Sequence, residues 1–380
     1  MSGTSADAVD AALVEWPDAP AARPFRLVAY RETAFPADLQ ARIHALAAGE
    51  LPGPEVLREL VALDVELGER FAEAAIDVAR EAGVALDRVD AIASHGQTVA
   101  HHPELHGTLQ IGCPSLLAQR SGRTVVANFR PRDMAAGGEG APLAPFFHFS
   151  VLADEREPRG VLNLGGIANL TWLPAGTDPE AVLAFDVGPA NSLVDGVVQI
   201  LSDGEERMDL SGLRAARGRI DEALLARLLD DDYLRRPAPK STGRERYGRA
   251  EAERRLSDWR AAGAGREDDD LVATLTAFTT EAVGLACREL LPSVDDQAPR
   301  IERLLVGGGG AANPTMMAGL ASALPGVTVE PMDAVGVPSA AAEAMAFSLM
   351  GRNALLGVPN HLSRCTGASH AVVLGEIVPG

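Results

Sequence analysis

The stretch Ala181-Val182-Leu183-Ala184-Phe185-Asp186-Val187-Gly188-Pro189-Ala190-Asn191 constrains this chain more than any other. An apolar run that ends in Asp and then Gly-Pro predicts a strand delivering a carboxylate to a sharp turn. Behind it, Leu193, Val197 and Leu201 recur at every fourth position, which predicts a helix in spite of Gly196. A carboxylate at the carboxyl end of a buried strand, beside a helix N-terminus, stands where α/β folds hold ligands. Such an Asp also starts turns and caps helices, so the stretch alone leaves both roles open.

The same pattern of strand followed by polar or glycine loop recurs along the chain. Val89–Ala93 leads into Ser94-His95-Gly96-Gln97-Thr98, and Thr124–Ala127 into Asn128-Phe129-Arg130-Pro131-Arg132-Asp133, where two arginines precede the glycines 137, 138 and 140. Val161–Trp172 reads as two strands around Gly165-Gly166. Arg303–Val306 leads into Gly307-Gly308-Gly309-Gly310 and then Asn313-Pro314, a strand, a glycine loop and a helix start. Glycines of this kind let the backbone pass close to a phosphate or a flat ring, although these match neither a P-loop nor the dinucleotide fingerprint. The opening residues Met1–Asp10 form a small-residue loop before the strand Ala11–Trp16, and Asp7 and Asp10 there can hold Mg²⁺ through water. Pro54–Gly83 is the clearest helix, with Val56, Leu60, Leu63, Leu67, Phe71, Ala74 and Val78 on one face. Pro338–Leu349 is a helix carrying Glu343, and Val372–Ile377 a closing strand.

A chain of 380 residues is long for one core, so two domains are expected. The acidic stretch Asp154–Glu157 with Pro158 puts the boundary between residues 155 and 156, the last ~20 residues being candidates to return to the first domain. The 34 basic residues stand against 53 acidic ones, a net charge of −19 that disfavours nucleic acid and anionic membranes. The most basic stretch, Arg235–Arg244, is flanked by acidic runs and reads as a surface loop. Cys113, Cys287 and Cys365 have no paired or ligand-like spacing, which predicts a reducing cytoplasm. His101, His102 and His106 lack an acidic or cysteine partner that would complete a metal site.

Taken in order, the segments MSGTSADAVDAALV, SHGQT, NFRPRDMAAGGEGAPLAPFFH, LNLGGIANLT, FDVGPANSLVD, PKSTGRE, VGGGGAANPTMM and TGASHAVVLGEI resemble the anhydro-N-acetylmuramic acid kinase family nearly end to end. The resemblance implies the actin, Hsp70 and sugar-kinase superfold, an α/β architecture of two RNase H-like domains flanking a deep cleft. It implies ATP-dependent hydrolytic opening of 1,6-anhydro-N-acetylmuramate with phosphorylation of O6, in cell-wall recycling, with ATP and Mg²⁺ as cofactors. A cytoplasmic homodimer is expected, with no nucleic-acid or membrane partner.

Carried over by motif, Asp186 is the general base. Gly3, Thr4, Ser5, Asp7 and Asp10, with Gly307, Gly308, Gly309, Gly310 and Asn313, are the ATP-binding residues, Asp7 and Asp10 also serving the metal through water. His95, Gln97, Arg132 and Glu343 line the sugar site. Members usually carry Gly where this chain has Ala8 and Ala190, Thr at Val187 and Gln at Glu139, and Asp is also common at Asn128, departures that bear on nucleotide affinity and sugar identity. They also usually place a short apolar strand before the MSGTS segment, so a start upstream, or weakened ATP binding, is expected. A kinase for another amino sugar or anhydrosugar, and a nucleotide- or sugar-sensing protein of the same fold, are the alternatives.

Overall fold

The structure, a computed structural model, describes residues 1–3, 5–263, 265–292 and 300–380; the expected phosphate-loop residue Thr4 lies outside them. The chain divides into two compact units, one of Met1–Val151 with Ala341–Gly380 and one of Leu152–Ala340. The boundary therefore precedes Asp154, and the return to the first unit begins at Ala341 rather than in the closing residues. Packing explains the early return. The helix Ala342–Leu355 buries Ala344, Met345, Ala346, Phe347, Leu349 and Met350. Its Gly351 runs so close to Ala93 that a Cβ there would lie 2.6 Å from the Ala93 Cβ.

In chain order the strands are β1 (Ala8–Glu15), β2 (Arg26–Ala34), β3 (Ala91–Ala93), β4 (Gln97–His102), β5 (Gly107–Ile111), β6 (Thr124–Ala127), β7 (Arg159–Leu164), β8 (Ile167–Leu173), β9 (Leu183–Pro189), β10 (Arg303–Gly307), β11 (Thr328–Pro331) and β12 (Glu376–Val378). In the first unit β1 pairs with β2, β4 with β5, and β6 lies between β12 and β3. A cavity of about 360 Å³ opens between β1 and β3, with Phe71, Ala74, Val78 and Phe347 among its lining residues. The helix Gly53–Glu81 supplies much of the core through Leu63, Leu67, Phe71, Ala74 and Val78, the predicted face. It stops where Gly83 turns to φ +66°.

Three expectations shift in this unit. The first strand starts at Ala8, so Asp10 belongs to it rather than to the preceding loop. The polar segment after Gly96 is a hairpin, β4–β5, in which His101 Nδ1 meets Thr108 Oγ1 at 3.1 Å. The closing strand is confined to Glu376–Val378.

The second unit is built on one five-stranded sheet of order β11-β10-β7-β8-β9. β7, β8 and β9 form an antiparallel meander, and β10 and β11 continue parallel to β7. This is the RNase H-like strand order. The helix Asn191–Leu201 follows β9 and buries Leu193, Val194, Val197 and Val198, with Gly196 close against Ala252. The helix Asp268–Leu285 runs through the core; the span Asp268–Leu290 is long and apolar enough to cross a membrane, yet most of it is buried in the protein. Burial of that kind is what a core helix requires.

Candidate active site

The second unit brings four sequence motifs to one level of its sheet. Gly307 of β10 is the register partner of Asn163 in β7, Asn163 of Asn169 in β8, and Asn169 of Asp186 in β9. Register partners put their side chains on the same face, so Asn163, Asn169 and Asp186 form a polar row across three strands. All three are half-buried, whereas Leu162, Leu164, Leu170, Phe185 and Val187 beside them are buried. Because β9 and β10 both run parallel to β7, the loops that follow all three leave from the same edge. Asp186, the Gly165-Gly166 turn and the glycine loop therefore share the carboxyl edge of the sheet.

Asp186 is held asymmetrically. Its Oδ2 accepts from Ser241 Oγ at 3.1 Å and from the Thr242 N–H at 2.9 Å, and no described residue donates to Oδ1. Its backbone is fixed too: its N–H donates to the Lys240 carbonyl (3.1 Å) and its carbonyl accepts from the Tyr233 hydroxyl (2.9 Å). Burial lifts the Asp186 carboxyl above the usual aspartate range; the bonds from Thr242 and Ser241 and the Lys240 charge pull it back. The segment Arg235–Arg244, read as a surface loop, is thus part of the site.

The four glycines of the loop are not equivalent. Gly308 has φ +76°, and a Cβ there would lie 2.4 Å from Asn163 Oδ1. At Gly310 a Cβ would come within 2.6 Å of the Leu164 Cβ, and at Gly307 within 2.7 Å of the Met332 sulfur. Gly309 has nothing within 4 Å and is the open position. Asn313 is buried, its Oδ1 accepting from the Met316 N–H at 3.0 Å, so it caps the helix Pro314–Ala323. Asn191, after Ala190, fastens the Gly165 turn through Nδ2 bonds to the Leu164 and Gly165 carbonyls (2.9 and 2.8 Å). Ala190 takes up φ −117° and Ala8 lies in β1, so neither needs the left-handed backbone that the family's usual glycine permits.

In the first unit, Gly3–Asp10 is held by side chains. Gln97 Nε2 donates to the Gly3 carbonyl (3.1 Å), Gln40 Nε2 to the Ser5 carbonyl (2.9 Å), and His44 Nε2 lies 3.0 Å from that same oxygen. Asp7 is exposed with Oδ1 accepting from Ser5 Oγ (2.7 Å), and Asp10 Oδ1 accepts from the Tyr30 hydroxyl (2.5 Å). Gln97 is 1% exposed, and its Oε1 has no partner among the described residues.

His95 is buried with both ring nitrogens engaged. Arg130 Nε donates to Nε2 at 3.0 Å, which leaves the proton on Nδ1, 2.9 Å from the Gly96 carbonyl. Burial and the Arg130 charge hold the imidazole well below its usual range, so it is neutral. Arg130 also donates to the Gly140 carbonyl (2.7 Å), and burial lowers the guanidinium to about 10. Arg132, two residues on, is exposed and forms no ion pair among the described residues. Glu343 is exposed as a residue, but protein atoms crowd its carboxyl. That crowding, then the Asp10 charge, pushes its pKa up, while Arg130 draws it down.

A family model described as "Anhydro-N-acetylmuramic acid kinase" matches residues 1–380. The chain is 41% identical to the anhydro-N-acetylmuramic acid kinase of Gloeobacter violaceus, covering 100% of this chain and 97% of that one. It is 44% identical to that of Acidithiobacillus ferrooxidans (100% and 91%) and 40% identical to that of Streptomyces coelicolor (100% and 93%). The chain belongs to the anhydro-N-acetylmuramic acid kinase family. Overlap with solved structures is slight: a ROK family glucokinase from Streptomyces griseus, in complex with glucose and AMPPNP, has a TM-score of 0.33 at 12% identity, over 84% of this chain and 92% of that one.

Membership of the anhydro-N-acetylmuramic acid kinase family makes the protein a kinase that uses ATP. Among the described residues no group of three His, Cys, Asp or Glu could cage a metal. Among the described residues Asp7 and Asp10 each keep one oxygen without a protein partner, which suits Mg²⁺, an ion that retains several waters and binds through one or two carboxylates and substrate phosphates. Sequence reasoning missed Lys240, Tyr233 and the Asn163–Asn169 pair. The local signal for Lys240 and the two asparagines was that PKSTGRE and LNLGGIANLT lie among the family segments; Tyr233 lies outside both.

Proposed function

We propose that the protein opens the 1,6-anhydro ring of anhydro-N-acetylmuramate with water and transfers the γ-phosphoryl group of ATP to O6. The product is N-acetylmuramate 6-phosphate, made in the cytoplasm during peptidoglycan recycling. The observation that carries this reading is the Asp186 carboxylate, one oxygen fixed and the other open, on the sheet edge that also bears the glycine loop. Water attacks the anomeric carbon, the C1–O6 bond breaks, and O6 takes the phosphoryl group while Asp186 Oδ1 accepts the water's proton. A carboxyl raised by burial is a stronger base than a solvated aspartate.

The backbone at Gly309, with no neighbour within 4 Å of a Cβ there, leaves room for phosphate oxygens. Mg²⁺, when bound, neutralises charge on those oxygens, with Asp7 and Asp10 holding it through water. Arg132, exposed and unpaired, is suited to the lactate carboxylate, and Glu343 to polar groups of the sugar. His95 and Gln97 Nε2 spend their hydrogen bonds inside the first unit, so their part is to shape that wall and to hold Gly3.

The test is ADP release with and without anhydro-N-acetylmuramate, with the product weighed by mass spectrometry. ADP formed only with this sugar, and a product heavier by one phosphoryl group (HPO3) and one water, is the expected result. ADP formed only with another amino sugar would make the protein a kinase for that sugar. ATP binding with no turnover on any sugar would make it a sensor.

A further inference from the structure

Asp186 is not oriented by its own strand alone. Residues 240–242 lie along β9, the Lys240 carbonyl accepting from the Asp186 N–H and Ser241 and Thr242 occupying Oδ2. What anchors that segment is the Lys240 side chain, only 7% exposed. Its Nζ donates to the Tyr233 and Leu234 carbonyls at 3.0 and 3.1 Å. It also stands over two rings, 4.6 Å from the Tyr233 centroid and 5.6 Å from that of Phe185. Tyr233 closes the circuit by donating its hydroxyl to the Asp186 carbonyl at 2.9 Å.

The charges acting on Lys240 are Asp186 on β9 and Asp231 and Arg236 on either side of the helix Asp232–Arg235, while Glu245 from the helix Arg244–Tyr247 acts on Asp186. Asp231 is already engaged by Arg246, the Tyr247 hydroxyl and the Tyr233 N–H. Among the described residues, Lys240 is the cation that acts on Asp186. Burying an ammonium is unfavourable, and two carbonyls with two ring faces compensate only in part, so Lys240 is drawn down to about 8.

We propose that Lys240 is the positioning residue for Asp186: it fixes the segment that occupies Oδ2, leaves Oδ1 to take the proton, and supplies the positive charge that favours the ionised carboxylate. The proposal rests on Asp186 acting as the base, so Asp186→Asn is measured alongside.

The experiment compares Lys240→Met, Lys240→Gln and Lys240→Arg with the unaltered chain. The readouts are kcat from pH 5 to 9, ATP affinity and melting temperature. Removing the charge in Lys240→Met is expected to move the acid limb of kcat upward by about half to one pH unit, because an opposite charge no longer favours the carboxylate. Its kcat at the plateau is expected to fall about tenfold to a hundredfold, a fraction of what losing the base itself costs, with ATP affinity little changed. Lys240→Arg keeps the charge and is expected to leave the acid limb in place. Lys240→Gln keeps a donor for the carbonyls without the charge, so its limb moves while its plateau falls less. If Lys240→Met does not fold, the limb of Lys240→Gln decides. An unmoved limb in the neutral variants, whatever their plateau, overturns the proposal. A folded Asp186→Asn protein with normal kcat overturns the base assignment instead.

Discussion

The two units support their candidate phosphate loops in different ways. In the second, the glycine loop is moulded by packing: Gly308 and Gly310 lie against β7 so closely that no side chain fits. Behind it stands a continuous sheet in which β7 and β8 are paired on both sides. In the first unit, Gly3–Asp10 is held by hydrogen bonds from Gln97 and Gln40, beside a sheet interrupted by the cavity between β1 and β3. A loop moulded by backbone packing fails when bulk is added. A loop held by side chains fails when donors are removed, and by less. Ionisable character differs too: all eight histidines belong to the first unit, and none to the second.

The largest effect should come from the second unit. Asp186→Asn keeps shape and polarity but removes the proton acceptor, so kcat should fall by about 10²–10⁴ while ATP affinity and melting temperature hold. A helix-capping or turn Asp would instead cost about 1 kcal/mol of stability and little turnover. Next comes the contrast between neighbouring glycines. Gly308→Ala combines a strained φ with a clash at Asn163 and should cost about 2–4 kcal/mol together with ATP affinity. Gly309→Ala, in open space, should stay within about 0.5 kcal/mol, and equal losses at the two positions would remove the packing argument.

The third effect separates the units by acid. His148 is buried and lowered from 6.5 to about 4, and His95 is lowered as well. The unfolded chain therefore takes up protons near pH 6.5 that the folded chain refuses, so stability is lost as pH falls below 6.5. For His148 the loss is on the order of 3 kcal/mol by pH 4. Melting curves of His148→Gln should show a flatter pH dependence over that window than those of the unaltered chain. Smallest is Gln97→Ala, which releases the Gly3 carbonyl and should cost about 1–2 kcal/mol, with a rise in KM for ATP and a nearly constant kcat. A larger drop in kcat than in ATP affinity would mean that Gln97 touches the reacting groups.

Much of the second unit was legible in its sequence because its elements are locally self-consistent. The helix Asn191–Leu201 and the strands around Gly165-Gly166 carry their own periodicity and turn residues. The first unit was less legible. The residues Gln97–His102 read as a polar loop, since nothing local announces that they pair with β5. Arg130 and Arg132 were equivalent in sequence, but two residues on a helix are about 200° apart. Only the seating of the helix Phe129–Ala135 decides that Arg130 turns toward His95 while Arg132 faces solvent. Lys240 and Tyr233 were invisible as partners because their meeting depends on how the chain between them folds back on β9.

The row Gly307–Asn163–Asn169–Asp186 also works as a ruler. Three inter-strand spacings separate its ends, and each is fixed by backbone pairing at about 4.8 Å, so the glycine loop and the base stand roughly 14 Å apart. Side-chain changes in the loops can alter how tightly a phosphate is gripped without altering that length. Only a slip of register in β8 or β9 would recalibrate it, and the irregularity between Ala168 and Asn169 is where such a slip has already been absorbed once.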